Sequence, residues 1–238
     1  MGCGRRWHVR GWLGIWALVV CPLVLGQEST SRNEVWPEID VYINIKPKLR
    51  LFLLATSSRS VEDGELLRSN AFEAQFGAHL DYLPNDHLVL RTGYRFGTSL
   101  GDADEFKEHR FLTEQTLRKR LAWEVLLSDR NREDFRVVNG DFSFRYRNRV
   151  TVERDFRLFG KRTITPYASA EAYYDTRYDV WNKTRFAAGM QITLRRGPLR
   201  ALLHRHQTIL DIYYMRQHDT RAAASHVNAI GVVVAIYR

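Results

Sequence analysis

The residues best equipped for chemistry in this chain are arginines and carboxylates placed two positions apart. Arg145, Arg147 and Arg149 alternate with Phe144, Tyr146 and Asn148, and Arg130 and Arg132 stand in the same relation a little upstream. The chain holds 30 Arg and only 6 Lys. A planar guanidinium suits bidentate pairing with a carboxylate in a confined space better than an ammonium does. A spacing of two puts such residues on one face of a strand. We therefore expect a single charged set of Arg91, Arg95, Arg110, Arg130, Arg132, Arg145, Arg147 and Arg149, partnered by Glu73, Asp81, Glu114, Glu153 and Glu171. Fully paired, the set braces an interior; a ring of unpaired arginines instead favours anions.

Other candidate groups are sparse. His204 and His206 would share a strand face, but no nearby acid completes a metal site. His109 lacks a serine in register to make a hydrolytic constellation. Asp102, Asp104 and Glu105 sit in a polar stretch without the ligand spacing that follows in a calcium loop. Asn182-Lys183-Thr184 fits a glycosylation acceptor, a short pattern that carries little weight by itself. No catalytic residue, cofactor or metal is assigned from these patterns.

Composition limits the elements that position these residues. At 238 residues, 45% hydrophobic and 12% aromatic, the chain is too polar for a bundle of membrane helices and too aromatic for a disordered one. The first 26 residues have the layout of a cleaved export signal. Arg5, Arg6 and Arg10 precede an apolar run from Trp12 to Leu25, which is short for a spanning helix. Removing three arginines and no acid takes the formal charge from +9 to about +6. Cys3 and Cys21 leave with the signal, so residues 27–238 form one domain without thiolate chemistry or disulfides.

That domain is dominated by strict alternation, the period of a strand whose faces meet different surroundings. Phe142, Phe144, Tyr146, Val150, Val152, Phe156 and Leu158 oppose Ser143, Arg145, Arg147, Arg149, Thr151, Glu153, Asp155 and Arg157, with Asn148 and Arg154 as intruders on the apolar side. Similar runs start at Ile39, Phe72, Leu88, Ile164 and Phe186. Tight turns are expected at 44–48, 83–87, 118–122, 159–162 and 195–199. Long polar loops are expected at 57–69, 97–107, 133–141, 175–183 and 217–225. This layout describes an all-β fold, an antiparallel up-and-down transmembrane β-barrel of about 10 to 12 strands. Eleven strand-like runs are counted. Bacterial single-chain barrels use even numbers, so the count implies one miscounted or hidden strand.

Alternation alone does not say which face points outward. A soluble periplasmic barrel binding an apolar ligand gives the same binary string, although a barrel this wide would need a plug and no segment reads as one. The aromatic residues near strand ends and the export signal favour the membrane arrangement.

Several segments also resemble a known family. Glu108-His109-Arg110-Phe111, the run Asp129 to Arg136, the run Phe144 to Arg149 and the run Tyr167 to Tyr174 resemble the Domain of Unknown Function 2490 family of Gram-negative bacteria. The resemblance implies an outer-membrane barrel without an assigned activity. Such barrels usually finish on Phe or Trp, whereas this chain finishes Ile236-Tyr237-Arg238.

The expected location is the cell outer membrane. The expected partners are outer-membrane lipid and lipopolysaccharide, the barrel-assembly machinery during insertion, and a small anionic solute. An enzyme acting on lipid or lipopolysaccharide is the alternative. Nucleic acid is not expected, because the basic residues interleave with acids along strands and form no phosphate-tracking stripe.

Overall fold

The computed structural model describes residues 31–61, 72–99, 106–158, 162–194, 207–222 and 225–238. The expected export signal, His204, His206 and the acidic group Asp102, Asp104 and Glu105 lie outside these residues.

The strands are β1 (Ser31–Lys46), β2 (Leu49–Val61), β3 (Phe72–Asn85), β4 (Leu88–Ser99), β5 (Lys107–Arg120), β6 (Val125–Val138), β7 (Asp141–Arg154), β8 (Phe156–Leu158), β9 (Arg162–Asp175), β10 (Val180–Leu194), β11 (Gln207–Asp219) and β12 (His226–Tyr237). The short β8 continues β7 past Asp155 and pairs with the start of β9. The barrel wall is thus eleven strands, each antiparallel to its sequence neighbour, and β1 closes it against β12. The fold class expected from alternation holds, and so does the count of eleven; the parity argument does not. An odd number of up-and-down strands leaves the first and last running the same way. The closing pair is accordingly parallel, from Ser31 opposite His226 to Tyr42 opposite Tyr237.

Closure sends the two faces of every strand to different surroundings. Phe76, Phe142 and Phe186 point outward and are 54%, 67% and 63% exposed. Asp81, Asp134 and Asp175 point inward and are fully buried. This orientation is the reverse of the one a soluble barrel with an apolar interior requires. Exposed aromatic residues stand at both ends of the outer wall, with Phe142 and Trp181 at one rim and Tyr82, Trp123 and Phe156 at the other.

The rim carrying the β1–β2, β3–β4 and β5–β6 connections is called the lower rim, and the opposite one the upper rim. The β1–β2, β3–β4 and β5–β6 connections are short, as alternation implied; the tight turn expected at 195–199, and most of the one at 159–162, lie outside the described residues. At the upper rim two of the expected long loops, 133–141 and 175–183, are shorter than their polar sequence suggested. The segment expected as a loop over 133–141 is strand up to Val138 and again from Asp141, joined through Asn139 and Gly140 alone. Their φ values of 51° and 98° are the left-handed pair that a type I′ hairpin turn needs, and Asn-Gly is its strongest sequence signal. The polar residues between 133 and 138 that suggested a loop are instead alternate members of a strand. β9 and β10 are likewise joined by four residues, 176–179.

Inside, close packing of the wall depends on two glycines. The Tyr213 ring lies across Gly231 of β12, where a Cβ would fall 2.0 Å from its Cζ, and Tyr167 leans over Gly189 of β10 at 2.8 Å. Ring-over-glycine contacts of this kind pin strand register. We expect Gly231→Ala to destabilise the barrel by about 1–3 kcal/mol, the usual cost of overpacking. In a double-mutant cycle followed by urea unfolding in micelles, Tyr213→Ala should absorb most of that loss.

Candidate functional site in the lumen

The inner wall from β2 to β9 carries a continuous chain of ion pairs. Its first knot is Asp81 on β3, which accepts from Arg50 Nη2 at 2.7 Å and from Arg91 Nε and Nη2 at 2.6 and 3.0 Å. Arg91 also approaches Glu114 at 3.8 Å, and Glu114 is held by Arg132 at 2.5 Å and neighboured by Arg130 at 3.8 Å. Arg130 reaches on to Glu171 of β9 at 2.8 Å. Glu171 is the most heavily shared acid: Arg147 and Arg149 join Arg130 at 2.9 and 2.8 Å, and the Tyr173 hydroxyl donates to it at 2.7 Å.

A second cluster lies nearer the upper rim. Glu108 pairs with Arg110 at 2.8 Å and with Arg136, and Arg136 extends to Asp175 at 3.4 Å. Asp175 also holds Arg145 at 2.7 Å and Arg177 at 2.9 Å. Arg177 lies in the β9–β10 turn, and this contact raises its already high pKa. Between the clusters sits Asp134, fully buried, with Arg147 3.8 Å away and no hydrogen-bond partner for either oxygen among the described residues.

Eleven of the thirteen residues selected from sequence fall as follows. Asp81, Arg91, Glu114, Arg130, Arg132, Arg147, Arg149 and Glu171 meet in the first chain of ion pairs, and Arg110 and Arg145 in the second cluster. Arg95 is on the same inner wall but pairs with no carboxylate among the described residues. Its Nε donates to His79 Nε2 at 3.2 Å, in a space left open by Gly77 and Gly93. The other two, Glu73 near the upper rim and Glu153 near the lower, make no ion pair among the described residues. Sequence reading left out Arg50, Glu108, Asp134, Arg136, Asp175 and Arg177. Parity alone would have found four of these, since 108 shares a face with 110 and 114, 134 and 136 with 132, and 175 with 171. Arg50 lies on β2 just past the turn expected at 44–48, in a stretch where no alternating run was read, and Arg177 belongs to a turn where parity does not apply. The Asn182 side chain is buried against Asp219 at 3.3 Å, so it is not presented as a glycan acceptor.

The lumen is divided along its length. Toward the lower rim, the rings of Tyr237, Tyr42, Phe52 and His79 stack across β12, β1, β2 and β3 with centroids 4.5, 4.6 and 5.1 Å apart. The Arg91 guanidinium packs on Phe52 at 4.1 Å. Above this layer lies a cavity of about 590 Å³, reaching from Asp40 and Asp211 up to Arg32, Glu73 and Lys183. Twelve cationic side chains and seven carboxylates line it. Arg185 is among them; it bonds Gln217 at 2.7 Å and packs over Trp36 and Tyr173, without a carboxylate among the described residues.

The charged segments just described lie within a wider match. A family model described as Protein of unknown function (DUF2490) matches residues 33–228. The chain belongs to this family. Among solved structures, the β domain of the Bordetella autotransporter BrkA is similar at 14% identity, covering 80% of this chain and 83% of that one with a TM-score of 0.48. No curated protein matches.

The shared acid Glu171 gives a direct test of the bracing role. Breaking a buried ion pair from one side typically costs 3–5 kcal/mol, roughly, because the partner charge is left uncompensated. Glu171→Gln should therefore lower the urea midpoint of the refolded barrel strongly. The exposed pair of Arg120 and Glu124, at 2.9 Å, should contribute roughly 0–1 kcal/mol when broken by Glu124→Gln.

Proposed function

We propose that the protein is an outer-membrane barrel whose arginine-rich upper lumen takes up small anionic solutes. The observation that carries this reading is the excess of cations over carboxylates around the 590 Å³ cavity, with Arg95 and Arg185 held by neutral groups and aromatic rings. Ion pairs cancel most of the wall charge; these two guanidiniums keep theirs for a solute. Confinement between low-dielectric walls strengthens that attraction.

The membrane setting is supported by the outward apolar face, the aromatic residues at both rims and the export-signal layout of residues 1–26. In that setting the lower rim faces the periplasm. The aromatic and Asp81 layer forms the floor of the vestibule, so passage is narrow and binding precedes it.

Cell fractionation followed by electrophoresis with and without boiling tests the setting: recovery in the outer membrane with heat-modifiable migration is expected, and recovery in the soluble periplasm would overturn it. For the lumen, bilayer recordings should give an anion-favouring reversal potential that Arg185→Glu moves toward cations. Arg95→Gln should weaken binding of a small dicarboxylate to the refolded barrel by about tenfold, the scale of one charge-assisted hydrogen bond. A folded barrel with neither conductance nor dicarboxylate binding would end the anion reading.

A further inference from the structure

The outer wall is apolar at mid-height around most of its circumference, where Ile39, Phe76, Phe186, Ile212 and Ile230 stand. Three adjacent strands depart from this. At the centre of β5, β6 and β7 the outward positions are Thr113 and Gln115, then Asp129, Asn131 and Glu133, then Asn148. They form one patch in register: Thr113 is opposite Glu133, Gln115 opposite Asn131, and Asn131 opposite Asn148. With strands about 4.8 Å apart and outward rows about 7 Å apart, the patch measures roughly 10 by 14 Å.

Part of the patch satisfies itself. Asn148 and Asn131 donate to Asp129 at 2.7 and 3.2 Å, and Thr113 donates to Glu133 at 2.9 Å. What remains is an exposed Gln115 amide with no partner among the described residues and the second oxygen of an exposed Glu133. A carboxylate and a free amide at mid-height on a lipid-facing wall are unfavourable unless something covers them.

We propose that a second copy of this chain covers this patch, forming a two-fold dimer through β5, β6 and β7. The proposal rests on the membrane setting above. The reason for a second copy is complementarity: the patch presents one unused donor group and one unused acceptor on adjacent strands. A two-fold axis between them sets Gln115 of one protomer against Glu133 of the other, and the reverse, so both are satisfied in a single isologous contact. The flanking Phe111, Phe135 and Leu117 are exposed and surround the patch with apolar area. No cation stands among the patch positions, so the acceptor is matched by an amide and not by a salt bridge.

Cys3 and Cys21 are the only cysteines, and both are replaced by Ser so that a single introduced cysteine reports contact cleanly. Thr113→Cys lies beside the proposed axis, and Ile230→Cys lies on β12 at the far side of the barrel. Oxidation of the isolated membrane fraction should convert most Thr113→Cys chains to a species of twice the chain mass and leave Ile230→Cys monomeric. In detergent, Q115L/E133L should raise the concentration at which two-chain particles dissociate at least tenfold, while Glu133→Gln, which keeps an amide pairing, should change it little. No Thr113→Cys product, equal products from both cysteines, or a product with a different polypeptide would each overturn the dimer. These readings are taken only on chain recovered in membranes, so a soluble protein defeats the membrane setting instead. Should Q115L/E133L not fold, the cysteine comparison decides alone.

Discussion

The parallel ladder between β1 and β12 removes the two free edges that an eleven-stranded sheet would otherwise expose. Every strand then has two neighbours, and backbone donors and acceptors along the wall are paired within it. Closure also converts a period-two sequence into two separate environments, one enclosed and one external. Both the charged lumen and the apolar outer surface follow from that single constraint. The ladder is continued at the lower rim, where the Asn44 amide donates to the Arg238 carbonyl and the Arg238 amide to that of Tyr42.

An interior lined with guanidiniums is expensive unless nearly every charge is matched. The wall manages this by sharing: three arginines converge on Glu171, three on Asp175 and two on Asp81. Because each acid joins its own strand to two others, the same contacts that satisfy charge also tie the strands at fixed register. Arg95 and Arg185 stand apart from this network, held by His79 and Gln217 and not by carboxylates among the described residues.

The charged inner face also accounts for the asymmetry of the lumen. β11 and β12 turn small or aromatic side chains inward, including Ala229, Gly231, Val233 and Tyr213, while Glu38 and Asp40 of β1 stand beside them. The cationic wall from β5 to β9 lies across from this region. The cavity therefore has a guanidinium-rich side and a facing side that carries Glu38, Asp40 and Asp211.

Alternation along Phe142 to Arg157 and Phe72 to Tyr82 was enough to read strands, a barrel of about the right size and the membership of most charged residues in one face. Those features are set by neighbours two positions apart, and the sequence states them directly. Orientation of that face, the closing of an odd sheet by a parallel pair, and the division between paired arginines and Arg95 were decided by the tertiary structure. Each depends on contacts between strands that lie far apart in the chain, such as Arg130 with Glu171 or Ser31 with His226. The outward patch at Gln115, Asn131 and Glu133 belongs to the same class. In sequence Gln115 and Asn131 lie far apart and Glu133 opens a stretch expected as a loop, and only the register of the strands brings them together on the outer wall.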